Sequence, residues 1–173
     1  VFPQKALCDI GMPIESLSQS DLLVEMSKVP DALREACVAW YEKRGMKFRF
    51  GADGARELTR EQVKEQAAMM IAMARYVERF GLSCVGVQYQ QGLARSCAAS
   101  DFAECAIGSI ERFPIPAEDG HIIRDGKPIT CANEVDMGTA IPQTMMFRLL
   151  DSLGLPSETT LHDIRWGSDW NGK

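Results

Sequence analysis

Polar side chains that could bind a cation or a sugar occur in three separate stretches of this sequence. Hard divalent cations such as Mg²⁺ and Mn²⁺ prefer oxygen ligands, which carboxylate and amide groups supply. Two carboxylates from different segments can also act as a general acid and a general base on one substrate. The three stretches contribute six candidates: Gln88, Glu104, Asn133, Asp136, Asp163 and Arg165.

The same residues also have simpler structural explanations. Glu104 is expected in the first turn of a helix, where an acid complements the helix dipole. Asp136 stands where a helix N-cap is expected. Asp163 and Arg165 are two positions apart on a predicted strand and share a face, which favours an ion pair. Residue type and spacing alone leave both the functional and the structural interpretation open.

Strands and helices alternate along the half of the chain that carries these candidates. Apolar runs predict three strands, at 83–89, 129–132 and 159–166. Helical patterns lie between them, at 101–110 and 137–153. Such alternation is typical of a parallel sheet with right-handed crossovers. We therefore expect an α/β fold, a three-layer open sheet of flavodoxin- or Rossmann-like type with parallel strands and helices on both faces.

Helices are also predicted ahead of the first strand. Thr59 and Gln62 have capping-box spacing at the start of a long apolar stripe, and Gly81 supplies its end. An earlier stripe runs from about residue 20 to residue 44. Pro30 interrupts it, which indicates two shorter helices as readily as one long helix.

The length of 173 residues fits one domain. Breaker residues make 1–19 an irregular N-terminal segment, and 20–173 is expected to form a single α/β domain. Both ends of the sequence suggest a fragment of a longer protein.

Composition narrows the class of protein. The net charge of -5 and the lack of a basic stripe argue against a nucleic-acid partner. Six cysteines without CxxC spacing, together with only two histidines, argue against a zinc finger. No apolar run is long enough to span a bilayer, and no signal peptide opens the chain. Scattered cysteines then favour the cytoplasm as the compartment.

The predicted strands place the candidates together. In an open parallel sheet, ligands bind beyond the carboxyl ends of the strands. Each candidate lies within a predicted strand or after one. We therefore expect carboxylates from separate segments to meet on one edge of the sheet, where they could bind a divalent cation.

Three motifs, in order, resemble the L-fucose isomerase family. The first is VGVQYQQGL followed by ASDFAE, at 85–93 and 99–104; the second is NEVD at 133–136; the third is LHDIRW at 161–166. The resemblance covers about half of the chain. It implies that Glu104 and Asp136 bind Mn²⁺, or another divalent cation, and serve as the acid/base pair of an aldose–ketose isomerase. Gln88, Asn133, Asp163 and Arg165 would then contact the sugar.

The resemblance has two departures and leaves alternatives open. The family's third metal ligand is a histidine, and neither His121 nor His162 matches its position. The linker between Glu104 and Asp136 is long, which indicates a different sugar. The family also implies a homo-oligomer for the full-length parent, and little activity for this chain alone. A non-catalytic α/β domain that binds a sugar or a partner is the alternative, and a two-carboxylate glycosidase is a third interpretation.

Overall fold

The computed structural model describes residues 4–90 and 92–159. About half of these residues are helical. The α-helices are α1 (Gln4–Asp9), α2 (Gln19–Ser27), α3 (Asp31–Lys43), α4 (Arg60–Phe80), α5 (Asp101–Ile107) and α6 (Met137–Ser152). The strands are β1 (Cys84–Gly86) and β2 (Thr130–Ala132), and short 3₁₀ helices occupy Leu93–Arg95 and Asn133–Val135.

Helix α4 is the centre of the molecule. Its N-terminus has the predicted capping box, in which the Thr59 hydroxyl accepts from the Gln62 amide and the Gln62 side chain accepts from the Thr59 amide. Gly81 ends it in the left-handed conformation, with φ 61°. Every residue from 66 to 74 is buried. A helix apolar on all sides must be surrounded, and α2, α3, α5 and β1 all pack against it.

Helices α2 and α3 are separate, as the interruption at Pro30 indicated. Pro30 is the N-cap of α3, with φ -60° and ψ 144°. Glu25 ties α2 to α4, because its buried carboxylate accepts from Arg79 at 3.0 Å. Burial alone would raise the pKa of Glu25, but hydrogen bonds from Arg79 and Lys28 outweigh it and lower the pKa.

The strands β1 and β2 form a two-stranded parallel sheet, with Val85 opposite Cys131. Gly86 is required at the end of β1 because a Cβ there would lie 2.9 Å from the Ala132 carbonyl oxygen and 3.3 Å from the Val135 Cα. The chain after β2 can therefore cross closely over the end of β1.

The predicted three-layer parallel sheet is wrong. The described residues are mostly helical and contain only these two parallel strands. The apolar run at 83–89 predicted a short strand over that whole range, but only 84–86 pair with β2. Core burial comes instead from helices packed around α4. The predicted strand at 159–166 lies outside the described residues except for residue 159. The N-terminal segment 1–19, predicted to be irregular, contains α1.

The segment 109–127 between α5 and β2 forms an excursion that is held together by one buried guanidinium. Arg112 is 6% exposed and donates to the carbonyl oxygens of Ser109, Ile123, Arg124 and Lys127. Burial lowers the pKa of Arg112. These bonds fold 109–127 around the side chain, because each carbonyl oxygen must reach the same planar donor.

The tip of this excursion is held against the end of α4. Arg124 donates to the Leu82 carbonyl at 2.7 Å. His121 lies between two carboxylates, 2.6 Å from Asp119 and 3.0 Å from Glu78. Both carboxylates raise the pKa of His121, Asp119 more than Glu78. None of the described helices combines the length and apolarity needed to cross a membrane.

Replacing Arg112 by methionine should destabilise the protein strongly. The side chain fills similar space but leaves four carbonyl oxygens, that of buried Ile123 among them, without this donor, so we expect a loss of about 3 kcal/mol in the free energy of unfolding. Urea denaturation measures it. Arg95→Met, at an exposed arginine, is the matched control and should change stability by less than about 0.5 kcal/mol. Equal effects of the two substitutions would contradict the role assigned to Arg112.

The charged His121 pairing should stabilise the protein at low pH, and this contribution should be lost as the pH rises. A raised pKa means that the charged pair contributes fully below the unfolded pKa of about 6.5 and is lost as pH rises through the folded pKa. An NMR titration of the His121 ring should give a pKa above 6.5. Asp119→Asn should lower that pKa more than Glu78→Gln does. A pKa that neither substitution changes would show that the ring is solvated rather than paired.

Candidate functional site

Glu104 lies on α5, which packs against β2. The Ile129 amide, just before β2, donates to the Ile107 carbonyl at the end of α5 with a distance of 3.1 Å. Helix α5 and strand β2 therefore run in opposite directions. Glu104 comes about one turn earlier in α5 than Ile107, so it lies further along β2. The electrostatic effect of Glu104 on Cys131 agrees with this placement. The Glu104 side chain is buried, at 7% exposure.

Side chains of α4 fix the start of α5. The Glu65 carboxylate accepts from the Ala98 amide at 2.8 Å, and the Gln66 side-chain oxygen accepts from the Phe102 amide at 2.9 Å. Phe102 lies two residues before Glu104. The position of Glu104 is thus set by hydrogen bonds to the most buried helix of the protein, rather than by the short helix that carries it.

Asp136 is the N-cap of α6. Its side-chain Oδ1 accepts from the Gly138 amide at 2.8 Å, and its carbonyl accepts from the Thr139 hydroxyl at 2.9 Å. The structural role proposed for Asp136 from the sequence is therefore confirmed. The residue is exposed, and a carboxylate has a second oxygen that this bond does not use.

The turn between β2 and Asp136 contains a strained residue. Val135 has φ 61°, in the left-handed region that β-branched residues rarely adopt. Strain of this kind costs about 1–3 kcal/mol and is concentrated at functional sites. The close approach over Gly86 holds the turn in place. Asp136 directly follows this strained residue and ends the 3₁₀ helix that comes after β2.

The other predicted site residues are distributed differently. Asn133 begins the 3₁₀ helix between β2 and Asp136 and is half-buried. Gln88 is exposed, and its carbonyl accepts from the Gln19 side chain at 2.6 Å. Gln88 also lines a cavity to which neither Glu104 nor Asp136 contributes. Asp163 and Arg165 lie outside the described residues, so the predicted third stretch adds nothing to the observed site.

The donor set fits a partial cation site. Among residues 4–90 and 92–159, no group of three or more His, Cys, Asp and Glu side chains is arranged to hold a metal. Glu104 and Asp136 could supply two oxygen ligands. That number leaves most of an octahedral shell to water or substrate, as is usual for Mg²⁺-type sites.

The cavity was missed at the level of the sequence. It has a volume of about 600 Å³ and lies between residues 7–19, α4, β1 and α6. Its lining comes from distant segments, so no local motif marks it. The sole sequence signal is Arg148, a charged residue within the apolar run MMFRLL of α6.

Cysteine chemistry contributes little to the site. Burial raises the pKa of Cys37 to about 12, and burial with a smaller contribution from Glu104 raises the pKa of Cys131 well above its ordinary value. Burial likewise raises the pKa of Cys97 to about 11. Thiols held in the protonated form are poor nucleophiles and poor metal ligands.

Comparison with protein-family models, with curated proteins and with solved structures finds no match to this chain. The functional argument therefore rests on the residues described above.

Thiol alkylation should divide the cysteines by burial. We expect iodoacetamide to modify exposed Cys8 and Cys105 rapidly, and to spare Cys37 and Cys131 until the protein is unfolded. Mass spectrometry of peptides after timed quenching measures the rates. Comparable alkylation of Cys131 in the native protein would show that the region around β2 opens readily to solvent.

Proposed function

We propose that this chain is a domain of a cytoplasmic, divalent-metal-dependent aldose–ketose isomerase. One observation carries the proposal: a buried carboxylate, Glu104, lies beside β2, and Asp136 follows the strained turn after that strand. Carboxylate oxygens are the ligands that hard divalent cations prefer. The motif resemblance to L-fucose isomerases independently implies these two residues as ligands.

The proposed reaction moves one hydrogen between neighbouring carbons of an open-chain sugar. A carboxylate removes the proton from C2 of the aldose and, as the acid, returns it to C1 of the enediol. The hydroxyl proton moves from O2 to O1, so the aldose and the ketose have the same atoms and no external oxidant is needed. A divalent cation, Mn²⁺ by resemblance, supplies polarisation of the sugar carbonyl when it is bound.

The two carboxylates have different surroundings, and this suits different roles. Glu104 is buried, which shields it from water and favours proton transfer to and from carbon. Asp136 is exposed and anchored through its capping bond, which suits a group that orients the sugar or exchanges the hydroxyl proton. Asn133, between β2 and Asp136, could donate a hydrogen bond to a sugar hydroxyl.

A non-catalytic domain that binds a sugar or a partner is the second candidate. The capping bond of Asp136 favours it, because that bond accounts for an aspartate at this position without any ligand. The experiment must therefore separate the charge of Asp136 from its capping role. Asp136→Asn does so, because asparagine caps helices as well as aspartate but binds cations far more weakly.

Mn²⁺ should bind weakly, at the end of β2. Two carboxylates without the family's histidine leave an incomplete shell, so we expect a high dissociation constant. Bound Mn²⁺ should broaden the NMR signals of backbone amides around Glu104 and Asp136. Glu104→Gln combined with Asp136→Asn should remove this broadening. Asp21→Asn, at an exposed acid in the first turn of α2, is the matched control and should leave it unchanged.

Activity gives the second measurement. With Mn²⁺ and a panel of aldoses and ketoses, this chain alone should show little turnover. A longer protein that contains this chain and supplies the third metal ligand should show clear turnover. Glu104→Gln should abolish that turnover while circular dichroism shows an intact fold. Turnover that survives both substitutions would remove these residues from catalysis, and broadening centred elsewhere would move the cation site.

A further inference from the structure

A cavity of about 600 Å³ lies beside β1. Among the residues that the structure describes, β1 pairs with β2 alone. Residues 7–19, α4 and α6 supply most of the rest of the lining. The volume falls within the range of roughly 300–1,000 Å³ that small-molecule sites occupy.

The segment 7–19 is attached at a defined point. The Gln19 side chain donates to the Gln88 carbonyl at 2.6 Å, just beyond the end of β1. Gly92 allows this contact, because a Cβ at that position would lie 2.8 Å from the Gln19 side-chain oxygen. Residues 7–19 are thus attached to the rest of the protein where the cavity ends, and the cavity is not an incidental gap beneath a free segment.

Most of the wall is apolar. Helix α4 contributes Met73, Tyr76 and Phe80, and α6 contributes Ala140 and Ile141. Phe80 remains 53% exposed, although it lies on the most buried helix of the protein. A ligand with an apolar body would cover this ring and gain the free energy of removing it from water.

One cation lies on the same wall. Arg148 of α6 lines the cavity and donates to the Ser83 hydroxyl at 3.0 Å. Within the described part of the chain, Arg148 forms no ion pair, whereas Lys127 and Asp151 nearby pair with each other. Glu15, within residues 7–19, is the acidic residue of the lining. Arg148 can therefore present its planar donors to an incoming anion without breaking an existing ion pair.

We propose that this cavity binds a small amphipathic acid, with its apolar body against α4 and its carboxylate on Arg148. The proposed metal ligands Glu104 and Asp136 do not line this cavity, although Gln88 does. A bound ligand would contact residues 7–19, β1 and α6 at the same time. A carboxylic acid fits better than a neutral lipid, because the guanidinium of Arg148 lines the cavity and has no ion-pair partner among residues 4–90 and 92–159.

Octanoate and 1-octanol are matched probes, with the same chain length and different charge. With methyl-labelled methionine, octanoate should shift the NMR signal of Met73, which lines the cavity, and leave Met145, exposed elsewhere on α6, unchanged. Arg148→Gln should weaken octanoate binding about tenfold and bring it close to that of octanol. Arg95→Gln, at an exposed arginine outside the cavity, should have no effect.

A second variant tests the cavity itself and leaves Arg148 unchanged. Ala140→Phe places a ring in the cavity and should prevent the Met73 shift without lowering the melting temperature. Glu104→Gln should leave octanoate binding unchanged, so failure of the proposed isomerase site does not affect this result. No Met73 shift, equal binding of octanoate and octanol, or equal losses in Arg148→Gln and Arg95→Gln would each overturn the proposal.

Discussion

The burial of α4 on every side is the constraint on which the rest of the structure depends. A helix without a solvent-facing stripe exists only when other elements enclose it. Its buried apolar residues require α2, α3 and α5 around them, and its polar side chains determine how those helices approach. Glu65 and Gln66 show this directly, because their side chains accept from the backbone that leads into α5. The candidate site therefore inherits its position from the core.

Local signals in the sequence predicted the helices well and the sheet poorly. Capping at Thr59, the stop at Gly81 and the break at Pro30 are each decided by a few neighbouring residues, so they can be read from the sequence. Whether a run of residues forms a strand depends on the segment with which it pairs. The run at 83–89 has the composition of a buried strand, yet its later residues turn away to meet residues 11–19 and the loop after Gly92. No pattern within the run distinguishes these outcomes.

The same distinction applies to the site. The first-turn position of Glu104 and the capping role of Asp136 follow from local rules and could be predicted. The burial of Glu104, the strain at Val135 and the cavity beside β1 depend on contacts between distant segments, so no local pattern indicates them. Asp136 also shows that a structural role and a functional role need not compete, since one carboxylate oxygen can cap a helix while the other faces outward.

The hydrogen bonds of Arg112 have a consequence for how the sequence of this protein can evolve. Its acceptors are main-chain oxygens, which every amino acid provides, so the side chains of Ser109, Arg124 and Lys127 are not fixed by this interaction. A single arginine can then hold residues 109–127 in place while the exposed positions among them vary freely. Such a segment can acquire new surface chemistry by substitution without loss of folding, which makes 109–127 a natural place for related proteins to diverge and for designed loops to be grafted.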